Sequence, residues 1–145
     1  MDLRLEVEII AVRDVDRALT FYRDRLGFRL DVDYGPHEGF RVVQLTPPGS
    51  SCSIQFGSSC SIQFGVGFGE TRYLVVDDIA LARQQLVDAG VEVSPIRHKA
   101  SADWQGDFVP GIHPDRRDYA SFADFQDPDG NQWTLQERGF PAGAR

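Results

Sequence analysis

Residues 3–12 first alternate and then run apolar (Leu5, Val7, Ile9, Ile10, Val12), the pattern of a strand buried on one or both faces. Asp14 follows with a side chain suited to an N-cap and Asp16 with a carboxylate for the first turn, while Val15, Ala18, Leu19, Tyr22 and Leu26 recur at helical spacing up to Gly27. This predicts an amphipathic helix of about three turns. Residues 28–34 alternate again, with Phe28, Leu30 and Val32 set against Arg29, Asp31 and Asp33. Gly35, Pro36 and Gly39 break that strand, residues 40–45 supply the next, and Pro47, Pro48 and Gly49 turn the chain into a fourth over residues 52–56. The predicted order is strand, helix, strand, strand, strand.

The second half repeats this grammar. Residues 72–76 read as a strand, Asp77 and Asp78 as caps, and Ile79, Ala82, Leu86 and Ala89 as a helix closed by Gly90. Ala11-Val12-Arg13-Asp14-Val15 falls on Val75-Val76-Asp77-Asp78-Ile79, so the chain reads as a tandem pair of similar modules. Residues 92–94 and 119–125 continue as strands, and Asp127-Pro128-Asp129-Gly130-Asn131 is a turn delivering a last strand over residues 132–136. The expected division is one domain over 1–145, with module 1 about 1–65, module 2 about 70–138 and a loose tail 139–145. The stretch 96–118 is long for a connection and carries Trp104, Phe108, Val109 and Ile112, which reads either as a lid over a cavity or as a loop packed on its own module.

Residues 50–57 and 58–65 are the same octapeptide, Ser-Ser-Cys-Ser-Ile-Gln-Phe-Gly, so two segments compete for one strand position. An even repeat preserves which side chains face which side. The first copy is expected to pair, because it follows directly on the Pro-Pro-Gly turn. Cys52 and Cys60 fit neither a zinc knuckle nor a disulfide framework and read as small apolar residues.

Composition narrows the function classes. At 145 residues with 41% hydrophobic and 26% charged residues, the chain suits one globular domain. The formal charge is -7, and the 15 basic residues include a single Lys, Lys99, so no nucleic-acid partner is expected. No run of about 20 apolar residues is present, which argues against a membrane-spanning helix. The start, Met1-Asp2-Leu3-Arg4, lacks the basic head and apolar stretch of a signal peptide, and a cytoplasmic location is expected.

Residues 12–18, residues 21–28 (Phe-Tyr-Arg-Asp-Arg-Leu-Gly-Phe) and the turn Phe125-Gln126-Asp127-Pro128-Asp129-Gly130-Asn131 together resemble the vicinal oxygen chelate superfamily, which takes in glyoxalases, bleomycin-resistance proteins and extradiol dioxygenases. The resemblance implies an α+β fold: two tandem βαβββ modules forming a curled mixed sheet around a U-shaped cleft, within a homodimer. It also implies where a metal would be gripped, on the first and last strands of each module. Those positions fall on Val7, Gln55 or Gln63, Thr71 and Thr134. Val offers no donor, and neutral Thr hydroxyls seldom meet a divalent cation's charge, so no metal and no other cofactor is expected, a divalent metal on a displaced ligand set being the alternative.

If those four positions face inward, alternation adds Leu5, Ile9, Tyr73, Val75, Gln132 and Gln136 to the same face. Such a wall, mostly apolar with amides and a phenol, suits a small molecule. The candidate ligand-binding residues are therefore Gln55, Gln63, Tyr73, Trp104, Phe108, Arg117, Tyr119 and Gln136, with Arg116 and Arg117 able to fork onto an acidic ligand group or to anchor their loop on Asp115 or Asp118. His98 and His113 bound the long stretch and are the candidates for acid–base work if they enter the cleft. His37 reads as a surface residue and Trp133 as an outer-face or dimer-contact residue. The expected function is metal-independent binding of a mostly apolar or aromatic small molecule, as in bleomycin-resistance-like proteins. The alternative is a superfamily enzyme, a lyase, isomerase or dioxygenase.

Overall fold

The computed structural model describes residues 1–57, 71–101 and 106–141. The chain divides into two compact units. Unit 1 comprises residues 1–70 together with 127–131, and unit 2 comprises residues 71–126 and 132–145.

In unit 1 the elements run β1 (Val7–Ile9), α1 (Val15–Leu19), a π-helical turn (Thr20–Arg25), β2 (Arg29–His37), β3 (Phe40–Thr46) and β4 (Ser53–Gly57), with the strands in the order β1-β4-β3-β2. Only three residues of the predicted first strand pair, because the parallel register with β4 spans just Val7 with Ser53, Glu8 with Ile54 and Ile9 with Gln55. The helix begins where predicted: Asp14 is extended and its Oδ1 accepts from the Arg17 N–H. Gly27 ends the helical stretch at φ 74°. Its buried stripe, Ala18, Leu19, Phe21 and Tyr22, packs with Phe28, Val43, Leu45, Ile54 and Phe56, all buried. Tyr22 lies within 5.6 Å of Phe28 and 5.9 Å of Phe56 between ring centroids.

The first octapeptide copy forms β4; the second copy, with Cys60 and Gln63, lies outside the described residues. The glycine ending the first copy is required by its neighbour strand. A Cβ on Gly57 would stand 1.9 Å from the Arg41 carbonyl oxygen, a distance no side chain tolerates. Cys52 is half-buried, and burial, with Glu8 and Glu6 nearby, pushes its thiol above its ordinary value, which suits the small apolar residue expected.

Unit 2 runs β5 (Thr71–Val76), α2 (Ile79–Asp88), β6 (Arg97–Lys99), β7 (Phe108–Pro110), β8 (Ser121–Gln126) and β9 (Gln132–Glu137), in the sheet order β5-β9-β8-β6-β7. Asp78 caps α2 by accepting from the Leu81 N–H, as Asp14 caps α1. The repeat extends to register: Thr71 opposes Gln132 and Tyr73 opposes Thr134, as Val7 opposes Ser53 and Ile9 opposes Gln55. Ile79, Val91, Ala123, Phe125, Trp133 and Leu135 form the core, with the Phe125 and Trp133 rings stacked at 6.3 Å and 6°. Trp133 is 3% exposed, so it belongs to the core and is unavailable for a dimer contact.

Three expectations are corrected here. Residues 92–94 make only an isolated bridge, Val93 to Phe125, because Arg83 claims the Val93 and Ser94 carbonyls. The stretch 96–118 is not a plain loop, since β6 and β7 pair within it and extend the sheet beyond β8. The tail is docked as far as Phe140: the Arg138 N–H donates to Val76, the Gly139 N–H donates to Asp118, and the Arg116 guanidinium lies 3.5 Å from the Phe140 ring centre.

Candidate functional site

Strand register decides which side chains share the face of each sheet opposite its helix, here termed the open face. In unit 1 Val43, Leu45, Ile54 and Phe56 point to the core, so Val7, Ile9, Val32, Tyr34, Gln44, Thr46, Ser53 and Gln55 take the open face. Gln44 and Gln55 are paired across β3 and β4. Beside them the Thr46 hydroxyl donates to Asp31, which leaves the Ser53 hydroxyl, 2.6 Å away, as donor to Thr46. The Thr46 hydroxyl, with Arg29 as the second cause, holds the Asp31 carboxyl below its ordinary value. Ile9, Val32 and Tyr34 remain exposed.

In unit 2 the open face carries Thr71, Tyr73 and Val75 on β5, Gln132, Thr134 and Gln136 on β9, and Phe122 and Asp124 on β8. Arg97 opposes Phe122, and Lys99 opposes Phe108, which sets Arg97, Lys99 and Phe108 on that face as well. The Thr134 hydroxyl donates to Asp124 Oδ1 at 2.7 Å, and Arg97 reaches both Asp124 oxygens at 2.6 and 3.3 Å. The Arg97 guanidinium carbon also lies 4.4 Å from the Phe108 ring centre. Tyr73, Val75 and Phe108 stay 57%, 53% and 46% exposed, large apolar groups left open on one sheet face.

The model of the Glyoxalase/Bleomycin resistance protein/Dioxygenase superfamily matches residues 4–135. The chain belongs to this superfamily. No curated protein sequence matches it. Among solved structures it is similar to TnmS3, an antibiotic binding protein from Streptomyces sp. CB03234, at 24% identity and a TM-score of 0.65 over 94% of this chain and 96% of that one. It is similar to a glyoxalase/bleomycin resistance protein from the same Streptomyces strain, at 24% identity and a TM-score of 0.62 over 92% and 99% of the two chains. A superfamily member from Sphaerobacter thermophilus DSM 20745 shares 25% identity over 94% of this chain and 98% of that one, with a TM-score of 0.62.

Within this superfamily fold, the positions implied for metal ligands carry a set that does not fit a divalent cation. Val7 and Gln55 in unit 1 offer one amide oxygen, with a second amide, Gln44, beside it. In unit 2 Thr71 and Thr134 offer hydroxyls, and Asp124, whose carboxylate shares the Thr134 row, is already held by Arg97 and Thr134. Among the described residues no three of His, Cys, Asp and Glu are grouped to hold an ion.

The predicted site residues divide between the two faces. Gln55, Tyr73, Phe108 and Gln136 are on open faces, Gln136 with its amide donating to the Tyr119 carbonyl at 3.2 Å. Gln63 and Trp104 lie outside the described residues. Tyr119 sits outside the strands at φ 63°, with the Arg138 guanidinium 5.5 Å from its ring centre. His98 opposes Ser121 and so points away from Phe122 and Arg97; His113, whose N–H donates to Ser121 Oγ, stacks edge-on against it at 5.6 Å. The histidine pair therefore occupies the closed face, so the condition for acid–base work on the open face is not met. Arg117 is close enough to influence His113, while Arg116 is the loop's anchor, on Glu137 and Asp78 rather than on Asp115 or Asp118. Arg97 and Lys99 were missed because residues 97–99 lay inside a stretch read as loop. Asp124 lies in the predicted strand 119–125, where its spacing from Phe122 is the signal that would have placed both on one face.

The His113 imidazole is 9% exposed, and burial first, then Arg117 and His98, hold it below its ordinary value against the opposing Asp115. Its Nδ1 accepts from the Asp115 N–H at 3.1 Å, which leaves the proton of the neutral ring on Nε2. A histidine depressed in the folded state binds protons more readily when unfolded, so its contribution is full above about pH 6.5 and lost as pH falls below that. The melting temperature is expected to drop between pH 7.5 and 5.5, and the drop to shrink in His113→Gln; an equal drop in the variant contradicts this assignment.

Proposed function

We propose that the protein binds a small, mostly apolar or aromatic molecule on its open sheet faces, without a metal. The reading rests chiefly on one observation: Tyr73, Val75 and Phe108 stand exposed on one sheet face, around a centre of uncharged or internally paired polar groups. Binding pockets for such molecules combine apolar walls with a few orienting polar groups. On the open face of unit 2 those groups are Gln132, Thr134 and Gln136, and on the open face of unit 1, taken by itself, Gln44 and Gln55. The fold is shared with an antibiotic binding protein, TnmS3, which supports the same reading. An acid–base role for His98 or His113 loses support from their place on the closed face.

The neutral dye N-phenyl-1-naphthylamine tests the proposal. Saturable fluorescence enhancement is expected, with affinity falling about tenfold in Tyr73→Ser, in line with about 1.4 kcal/mol for losing an aromatic contact. Urea midpoints of wild type and variant are expected to agree, because Tyr73 is exposed. Absence of saturable binding, or binding that appears only when stoichiometric zinc or nickel is added, refutes metal-free capture.

A further inference from the structure

We propose that Lys99, seated on Phe108, is an anion subsite on the open face of unit 2 that selects aromatic ligands bearing a carboxylate or phenolate. The inference rests on the binding function proposed above and names the ligand's chemical class. Lys99 is the single lysine of a chain with formal charge -7. Its ammonium nitrogen lies 4.0 Å from the Phe108 ring centre and donates to the Gly106 carbonyl at 2.6 Å. No carboxylate pairs with it among the described residues. Among the described strand residues, the arginines on the open faces are matched: Arg97 by Asp124, Arg29 by Asp31.

Charge and geometry combine at this one place. Two cations, Arg97 and Lys99, lie against the same Phe108 ring, and Asp124 answers only the first, so the cluster carries one net positive charge. An ammonium has three N–H donors and Lys99 commits one of them to Gly106. Phe108 is 46% exposed and packs edge-on against Phe122 at 5.6 Å, which presents an aromatic surface within reach of the cation. An aromatic ring packed against the exposed part of Phe108, with an acidic substituent toward Lys99, meets the apolar surface and the unanswered charge together.

Equilibrium titration with 2-naphthoate and its neutral counterpart 2-naphthalenemethanol tests the subsite. The wild-type protein is expected to prefer the naphthoate by about fivefold, the upper range for a half-exposed ion pair. The preference is expected to vanish in Lys99→Met, to persist in Lys99→Arg, and to weaken with salt. Carbon-13 labelling of lysine gives one side-chain signal set in this chain, and naphthoate is expected to shift it while the alcohol does not. Equal affinity for the two compounds in wild type, an unchanged preference in Lys99→Met, or an unmoved lysine signal overturns the anion subsite alone. Failure of both naphthalenes and of the neutral dye to bind overturns the binding function together with it.

Discussion

Replacing Glu137 by Ala is expected to lower folding stability by about 3–5 kcal/mol, the usual result of breaking a buried ion pair from one side. The Glu137 side chain is fully buried at the end of β9. Its Oε2 accepts from the Ile79 N–H, the first residue of α2, at 2.9 Å. Arg116 donates to both of its oxygens and also reaches Asp78, the N-cap of the same helix, at 3.2 Å. One carboxylate thus joins the last strand, the start of α2 and the loop before β8. Removing it orphans a helix N-terminal donor and leaves the guanidinium, itself 17% exposed, with Asp78 as its one carboxylate partner among the described residues. Arg116 holds φ 51°, an unfavourable region for a non-glycine residue, which the two acidic partners must offset. Urea unfolding followed by far-ultraviolet circular dichroism measures the loss. A shift below about 1 kcal/mol in Glu137→Ala contradicts the account, and Glu137→Gln, which keeps an acceptor for Ile79, is expected to fall between wild type and Ala.

Asp127→Ala is expected to cost about 2–4 kcal/mol, because several buried donors lose one acceptor at once. Asp127 Oδ1 accepts from the backbone of Asp129 at 2.9 Å and of Asn131 at 2.8 Å. Its Oδ2 accepts from the Tyr22 hydroxyl and from the Asn131 amide, both at 2.7 Å. Asn131 in turn donates to the Ala11 carbonyl, and Asp129 pairs with Arg17. The turn is therefore bonded to the segment that enters α1 and to the buried stripe of the helical stretch itself. Tyr22→Phe is expected to lose about 1 kcal/mol, and a double-mutant cycle with Asp127→Ala to return a coupling energy of similar size. Additive losses disprove the direct bond.

The sequence revealed most where local chemistry and periodicity act together. Asp14 and Asp78 each precede an apolar repeat and each caps a helix, and Gly27 and Gly90, both at positive φ, sit where the pattern ends. Starting from Thr71 and Thr134, which the resemblance implied, alternation on the long strands put Tyr73, Val75 and Gln136 on the same face, and the strand register groups them so. It failed where strands are too short to carry a period: β6 and β7 span three residues each, so Arg97, Lys99 and the pairing of Phe108 left no trace. His98 had no defined face for the same reason, since a residue's face is undefined until its strand is recognised. Glu137 lies three positions beyond Thr134, and that odd spacing turns it from the open face to the helix start. Long-range partners such as Tyr22 with Asp127, 105 positions apart, leave no periodic signature at all.

Membership of residues 127–131 in unit 1 has a bearing on synthesis. A nascent chain that has delivered only its first 70 residues holds the Phe21, Tyr22 and Phe28 cluster but neither the acceptor for the Tyr22 hydroxyl nor the amide that meets Ala11. Those arrive only once residues 127–131 have been made, so the earlier elements of unit 1 wait for a clasp supplied by a later stretch of the chain. Ribosome-bound chains halted before and after that point should differ sharply in protease resistance around Tyr22.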